Sequence, residues 1–201
     1  MDDKRNRILE LVNYLQSLGI VVNIGKNKAR GNKGFFRAKE GEFRIDIARN
    51  QSDDEVLRLL VHEFAHYLHY SYDKNLKSLN FVFKCNEETL LEEMISLTVD
   101  LIPKSSVEPL FKAKEELKDE MKYTTGIDLD LRKRALRKIN SKIARLNRYY
   151  NMPTELFARS LEMYFTARDK CKRIAPNICE QLDSVMKNGE VPELNALADL
   201  V

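Results

Sequence analysis

All three histidines of this 201-residue chain lie close together, in the segment LVHEFAHYLHYS at residues 60–71. Because His62 and His66 are four residues apart, an α-helix would place their side chains on one face, about one turn apart. Two imidazoles so placed can direct nitrogen atoms at one metal ion. Glu63 lies about 100° round the helix from His62, close enough to hold a water molecule on the ion without being a ligand. The pattern HExxH therefore predicts a zinc site with a general base beside it.

The predicted chemistry uses each of these groups. Neutral imidazoles keep the charge of the site low, the metal lowers the pKa of a bound water, and Glu63 accepts its proton as the water attacks a carbonyl. The alternative interpretation is a surface helix that contains HExxH by chance. His69 is seven residues after His62 and about 10 Å further along the axis, too far to share the ion. We expect His69 to contact a ligand or the substrate, or to be an ordinary surface histidine.

A catalytic zinc usually takes three protein ligands and keeps one position for water, so a third ligand must come from another part of the chain. No histidine remains, and Tyr72 stands where a third histidine ten residues after the first would lie. A glutamate is therefore the natural candidate for the third ligand.

Two segments offer such a glutamate. NMPTELFARSLEMYF (151–165) predicts a helix that starts at its proline, with Glu155 in the first turn and an apolar side that would turn this carboxylate inward. NEETLLEEMISLTVDLIP (86–103) predicts a largely apolar helix that carries Glu92 and Glu93. The residues alone leave both segments open.

The HExxH helix is predicted from about Asp53 to Tyr72, because Ser52 followed three residues later by Glu55 forms a capping box. Apolar side chains at helical spacing would bury one side of this helix; they are Leu57, Leu60, Val61, Phe64 and Leu68. The other predicted elements are a helix over 4–18, strands at IVVNI (20–24), FFRA and FRIDIA (43–48), a basic loop at 25–34, and helices at roughly 86–102, 105–123, 129–150, 154–172 and 178–188.

Two segments resemble metallopeptidase families. FRIDIARNQSDDEVLRLLVHEFAHYLH is similar to the strand followed by an HExxH helix in zincin metallopeptidases, including the ImmA/IrrE type. YYNMPTELFARSLEMYF resembles the PTELFARAFE signature of zincin-like large polyvalent protein associated domains of phages and mobile elements. The resemblance implies Glu63 as the base and includes Arg159 in the second signature. It implies three zinc ligands, His62, His66 and Glu155.

The chain departs from the ImmA/IrrE pattern at one point. Spacing would place the ligand glutamate of that family near Glu92 or Glu93, but the FA that follows it there is absent here. Glu155 is therefore the favoured third ligand, and Glu92 and Glu93 are the alternatives.

The patterns and the resemblance together imply an α+β, zincin-like fold in one domain over residues 1–201. Residues 1–72 would form an N-terminal helix, a small antiparallel or mixed sheet arranged as a meander, and the HExxH helix. Residues 73–201 would form a mostly helical part that carries the third ligand.

The resemblance implies a zinc-dependent endopeptidase of the gluzincin kind that cleaves a protein or peptide substrate in a phage or mobile-element context. Such a site also stabilises the oxyanion of the tetrahedral intermediate, commonly with a Tyr, His or Arg donor. The candidate donors are Tyr149, Tyr150, Arg159 and His69. The alternative function is a catalytically idle zincin-fold interaction module that binds a protein or nucleic acid through a basic helix at 131–150.

That basic helix, LRKRALRKINSKIARLNRYY, has eight Lys or Arg residues and no acidic one. One apolar stripe would pack, and the remaining surface is either a solvated face or a site for an acidic protein or for nucleic-acid phosphates. The acidic stretch KEELKDE at 114–120 could neutralise part of this charge.

The composition indicates a soluble globular protein. Apolar residues make up 43% of the chain, 34 basic residues against 31 acidic ones give a formal net charge of only +3, and no run of 18 apolar residues occurs. We expect no membrane contact, and a cytoplasmic protein because the N-terminus lacks a signal peptide. Three widely spaced cysteines (Cys85, Cys171 and Cys179) suit reduced thiols better than disulfides.

Overall fold

A computed structural model describes residues 2–26, 33–72, 88–101 and 104–201 of the chain. The predicted basic loop lies largely outside these residues, and Cys85 lies wholly outside them. The described residues form three strands and nine helices, which confirms the α+β class. In chain order the elements are α1 (Asp2–Ser17), β1 (Ile20–Lys26), β2 (Gly34–Lys39), β3 (Glu42–Ala48), α2 (Asp53–Tyr72), α3 (Glu88–Leu101), α4 (Lys104–Met121), α5 (Gly126–Tyr150), α6 (Pro153–Thr166), α7 (Arg168–Ile174), α8 (Pro176–Lys187) and α9 (Pro192–Leu200).

The three strands form a mixed sheet in the order β1-β3-β2, with β1 parallel and β2 antiparallel to β3. The mixed sheet is confirmed, but the predicted meander is wrong because β1 pairs with β3 and not with β2. β3 takes the centre because it carries the buried apolar alternation, with Ile45 and Ile47 fully enclosed. The β2–β3 hairpin turns through Glu40 and Gly41, whose φ angles of 52° and 84° suit a two-residue turn.

α2 packs against β2 and β3, and α1 packs against both α2 and β1. The capping box is confirmed, because the Ser52 hydroxyl accepts the Glu55 N–H at 3.3 Å and the Glu55 carboxylate accepts the Ser52 N–H. Leu57, predicted in the core, is only half-buried. Burying each large apolar side chain stabilises the fold by about 1.5–3 kcal/mol. Turning α2 about its axis would expose these side chains, so their burial fixes which side of the helix faces inward. The fully buried side chains here include Leu11, Leu15, Ile45, Ile47, Leu60, Phe64 and Leu68.

α6 packs along α2 and buries nine of its fourteen residues. The single helix predicted over 154–172 is wrong, since Ala167 leaves the helical conformation with φ −149° and ψ 56° and separates α6 from α7. The break lets α7 bring the Cys171 sulfur within 3.0 Å of the Cys179 sulfur in α8. Both cysteines are buried and free.

The other predicted helices are present with shifted ends. α3 covers the helix predicted at 86–102 and α4 the one predicted at 105–123, while α5 starts at Gly126 instead of residue 129. α8 begins at Pro176, two residues before its predicted start. α9 has no counterpart among the predicted elements, although a proline opens it and Leu194 and Leu197 are buried.

The chain divides into two compact units. The first, the sheet unit, comprises Met1–Leu97 and Pro153–Val201, and contains the sheet, α2 and α6. The second, the two-helix unit, comprises Thr98–Met152, and in it α4 packs against α5. The single domain over 1–201 stays a prediction. Among the described helices, none is both long and apolar enough to cross a lipid bilayer.

Candidate metal centre

His62 and His66 lie on the inner side of α2, as their spacing predicts. Their rings are 5.0 Å apart between centroids and stand nearly perpendicular to each other. His62 is buried and His66 is partly exposed, so the pair sits at the edge of the core, where a ligand can reach it. The apolar residues between and around them hold α2 so that both Nε2 atoms point towards α6.

Glu155 meets the two histidines from the first turn of α6. Its carboxylate oxygens lie 3.6 Å from Nε2 of His62 and 3.4 Å from Nε2 of His66. One ligand atom from each residue falls within 4.8 Å of the other two. Pro153 opens α6 and so fixes where its first turn begins, which brings the following glutamate against α2.

The donor set and its spacing fit a zinc ion. Ligand atoms about 2.0–2.1 Å from one tetrahedral zinc are about 3.4 Å apart, close to the two nitrogen–oxygen distances observed. Two imidazoles and one carboxylate also leave a fourth position for water, as catalytic zinc sites do. The group formed by His62, His66 and Glu155 could therefore hold a metal ion.

The competing glutamates lie in other surroundings. The carboxylate of Glu93 accepts hydrogen bonds from the Ile178 N–H at 2.9 Å and from the Asn177 side chain at 2.7 Å, at the start of α8. Glu92 is exposed to solvent. Of the three predicted glutamates, Glu155 is the one that the fold brings to the histidines.

Glu162 is a site residue that the sequence analysis missed. It lies seven residues after Glu155 on the same face of α6, and its carboxylate is buried. One oxygen lies 2.9 Å from Nδ1 of His62, and the other accepts a hydrogen bond of 2.7 Å from Arg58. The one signal in the sequence was its spacing of seven residues from Glu155, which places both acids on one face of a helix. Because the Nδ1–H of His62 donates to Glu162, Nε2 is the nitrogen that a metal would take once the proton on it has left.

The charges of the group depend strongly on one another. Burial alone would lower the pKa of His62, but the carboxylates of Glu155 and Glu162 raise it to about 9. Burial would raise the pKa of Glu155, but hydrogen bonds from the two histidines hold it well below its usual range. Burial would likewise raise the pKa of Glu162, and its hydrogen bond with His62 lowers it instead. Both carboxylates are therefore ionised and ready to stabilise a cation.

Glu63 lies beside the group without joining it. Its carboxylate is buried and accepts the backbone N–H of Phe36 from β2. Burial raises its pKa above the usual range, which brings a carboxylate closer to the value that suits a general base near neutral pH. β2 can approach this closely because residue 34 is a glycine, and a Cβ on Gly34 would come within 2.5 Å of Oε1 of Glu63.

The four predicted oxyanion donors are distributed over both units. Arg159 reaches the metal group, with a guanidinium nitrogen 3.5 Å from an oxygen of Glu155. His69 is buried against the ring of Phe157 at 5.2 Å between centroids, so the expectation of a surface histidine is wrong. Tyr149 and Tyr150 belong to the two-helix unit.

Comparison of the chain with protein-family models, curated proteins and solved structures gave no match. The residues of the site and their geometry are what support a proposal of function.

Proposed function

We propose that this protein is a zinc-dependent peptidase. The observation that carries the proposal is that His62, His66 and Glu155 converge from two helices while Glu63, the interleaved acid of the same motif, stays off the ligand set. A site that only stores or senses a metal has no use for a buried carboxylate of raised pKa next to it. The cofactor proposed for the group is Zn²⁺, since two histidines and one glutamate form a ligand set of catalytic zinc.

When bound, zinc would polarise the carbonyl of the peptide bond and make water more acidic. Glu63 accepts the proton of the attacking water and then delivers it to the amine that leaves, so one carboxylate acts first as base and then as acid. The Phe36 N–H holds Glu63 in place for both steps. Glu162 orients His62, and Arg58 in turn holds Glu162.

Among the strands that the structure describes, β2 lies at one edge of the sheet, and this edge offers a place for an extended peptide. The N–H of Ala48 donates to the carbonyl of Lys33, so alternate residues of β2 from 33 onward face β3. The backbone groups of Gly34 and Ala38 and the carbonyl of Phe36 therefore face the other way, towards the edge where the Phe36 N–H donates to Glu63. A peptide that adds to this edge by backbone hydrogen bonds would pass beside the metal group. This supports a protein or peptide substrate, as the family resemblance also does.

The test is hydrolysis of a quenched-fluorescence library of random-sequence peptides by the zinc-loaded protein. Wild type should cleave a subset of the library. Glu63→Gln should bind zinc equally well yet cleave about 10²–10⁴-fold more slowly, because only the proton transfer is lost. Glu92→Gln, at an exposed position outside the site, is the matched control and should cleave like wild type. Equal rates for Glu63→Gln and wild type, or a zinc-loaded wild type that cleaves no peptide, would reject the proposal.

A further inference from the structure

α5, in the two-helix unit, presents one strongly basic side to solvent. We define the basic face as five exposed side chains, Arg134, Arg137, Lys138, Arg145 and Arg148. At about 100° per residue these five fall within an arc of about 100°, with Ser141 at its centre. Ile143, on roughly the opposite side of the helix, is buried, and α5 packs against α4. The orientation of α5 thus follows from its apolar stripe and leaves the basic face outward.

The neighbouring acids do not neutralise this face. Four of the five acids of α4 are paired with other cations of the two-helix unit, namely Glu115 with Lys118, Glu116 with Lys112, Asp119 with Lys122 and Glu120 with Arg132. Asp130, at the N-terminal end of the face, lies 3.8 Å from Lys133. No side chain of the basic face forms an ion pair with another described residue. The acidic stretch at 114–120 therefore pairs with Arg132 of α5, and it forms no ion pair with the basic face.

We propose that the basic face binds the phosphate backbone of duplex nucleic acid, without dependence on base sequence. From Arg134 to Arg148 the helix rises about 21 Å. One strand of a duplex carries a phosphate about every 3.4 Å along its axis, so about six phosphates lie along this length, against five cations on the face. Four of the five are arginines, whose guanidinium groups match phosphate oxygens in a two-pronged hydrogen bond.

The composition of the basic face favours nucleic acid over an acidic protein. Protein interfaces have an apolar or aromatic centre that is poor in charge, whereas nucleic-acid interfaces are polar and strongly positive. The centre of this face is Ser141, whose hydroxyl can donate to a phosphate, and the arc contains no apolar side chain from 131 to 150. It contains no aromatic side chain either, and single-stranded nucleic acid is usually held by stacking on aromatics. A duplex is therefore the ligand that the face fits best.

The experiment measures binding of the full chain to a fluorescein-labelled 20-base-pair DNA duplex by anisotropy, from 50 to 200 mM KCl. Five phosphate contacts predict a slope of log K against log salt of about −4.5, so affinity should fall roughly 500-fold over this range. Two duplexes of unrelated sequence should bind equally. Zinc content and duplex affinity should be independent of each other, since the face contains no residue of the metal group.

Two matched variants test whether the position of the charges matters. Each replaces five cations of the two-helix unit by glutamine, which keeps the helix propensity high and removes the same charge from a formal net charge of +3. The face variant changes Arg134, Arg137, Lys138, Arg145 and Arg148. The control variant changes Lys112, Lys118, Lys122, Arg132 and Lys133. The face variant should lose at least about 100-fold in affinity at 50 mM KCl and most of the salt slope, while the control keeps its slope.

Several results would overturn the proposal. One is that wild type does not bind the duplex at 50 mM KCl, and another is that both variants lose the same affinity for the duplex. A third is that poly-L-glutamate at an equal charge concentration displaces the duplex, which would indicate an acidic protein partner. Circular dichroism checks that both variants keep their helix content. If the face variant unfolds, the pair Arg137→Gln/Arg145→Gln should still reduce the slope by about 2, and Lys118→Gln/Lys122→Gln should not. An unchanged slope in the first pair also rejects the proposal.

Discussion

Glu162→Gln should weaken zinc binding without removing any ligand. The carboxylate of Glu162 accepts from two donors at once, Nδ1 of His62 at 2.9 Å and Arg58 at 2.7 Å. A glutamine has the same shape but only one acceptor oxygen, so it can satisfy one of these donors and must present its NH₂ group to the other. His62 then loses either its fixed tautomer or the charge that makes its Nε2 atom a stronger ligand.

The expected size of the effect follows from the burial of Glu162. Carboxylates that hydrogen-bond to a metal-binding histidine typically change metal affinity 10–100-fold. Because Glu162 is buried and both of its hydrogen bonds are charge-assisted, we expect the middle to upper part of that range. A loss of about thirtyfold corresponds to about 2 kcal/mol of binding free energy. The unsatisfied donor should also lower the free energy of unfolding of the metal-free protein by about 1–3 kcal/mol.

The assay is competition for zinc against a chromophoric chelator, with the folded fraction of each variant determined by circular dichroism. Glu93→Gln is the matched control, because Glu93 also accepts several hydrogen bonds within the sheet unit yet lies at the start of α8. We expect its zinc affinity to stay within about twofold of wild type, since distant sites act independently. A folded Glu162→Gln with unchanged zinc affinity would refute the role assigned to this carboxylate.

Three further predictions follow from the site and the core. Since the pKa of His62 is raised to about 9 without metal, zinc must displace its proton, and the apparent affinity for zinc should rise with pH up to about 9. Calorimetry in two buffers should therefore detect about one proton released per zinc bound near pH 7.5, and no release would contradict this. Gly34→Ala should displace the Glu63 carboxylate, because the added Cβ would meet its Oε1 atom, and should slow peptide cleavage by about 100-fold at unchanged zinc content. An unchanged cleavage rate would show that catalysis does not need Glu63 at this position beside β2. Phe64→Ala, at a fully buried position, should lower the free energy of unfolding in urea by about 3–5 kcal/mol, and a loss below about 1 kcal/mol would be inconsistent with the described core.

The parts of the structure that the sequence predicts well are those specified by local signals. The bounds of α2 follow from the capping box at Ser52 and Glu55 together with a helical apolar period, and both signals act within a few residues. The position of Glu155 follows from Pro153, which fixes the start of α6 two residues earlier. Such signals identify the elements and the residues that face inward.

The parts that the sequence does not predict depend on packing between distant segments. The pairing of β1 with β3 is decided by which strand takes the centre of the sheet, and each strand alone is consistent with a meander. The break at Ala167 has no Gly or Pro to mark it, so the helical period runs through it. Glu162 reads as one more helical glutamate until α6 packs on α2 and brings it to His62, which lies 100 residues away in the chain.

The measurement that tests the central claim most directly is the zinc content per chain, by elemental analysis after zinc loading and dialysis. Wild type and Glu93→Gln should each retain about one zinc, and Glu155→Gln should retain almost none while keeping its helix content, because it replaces a charged ligand by a neutral amide. That result would establish Glu155 as a zinc ligand, as the group with His62 and His66 predicts. A wild type that retains no zinc, or a Glu155→Gln variant that retains as much as wild type, would contradict the account.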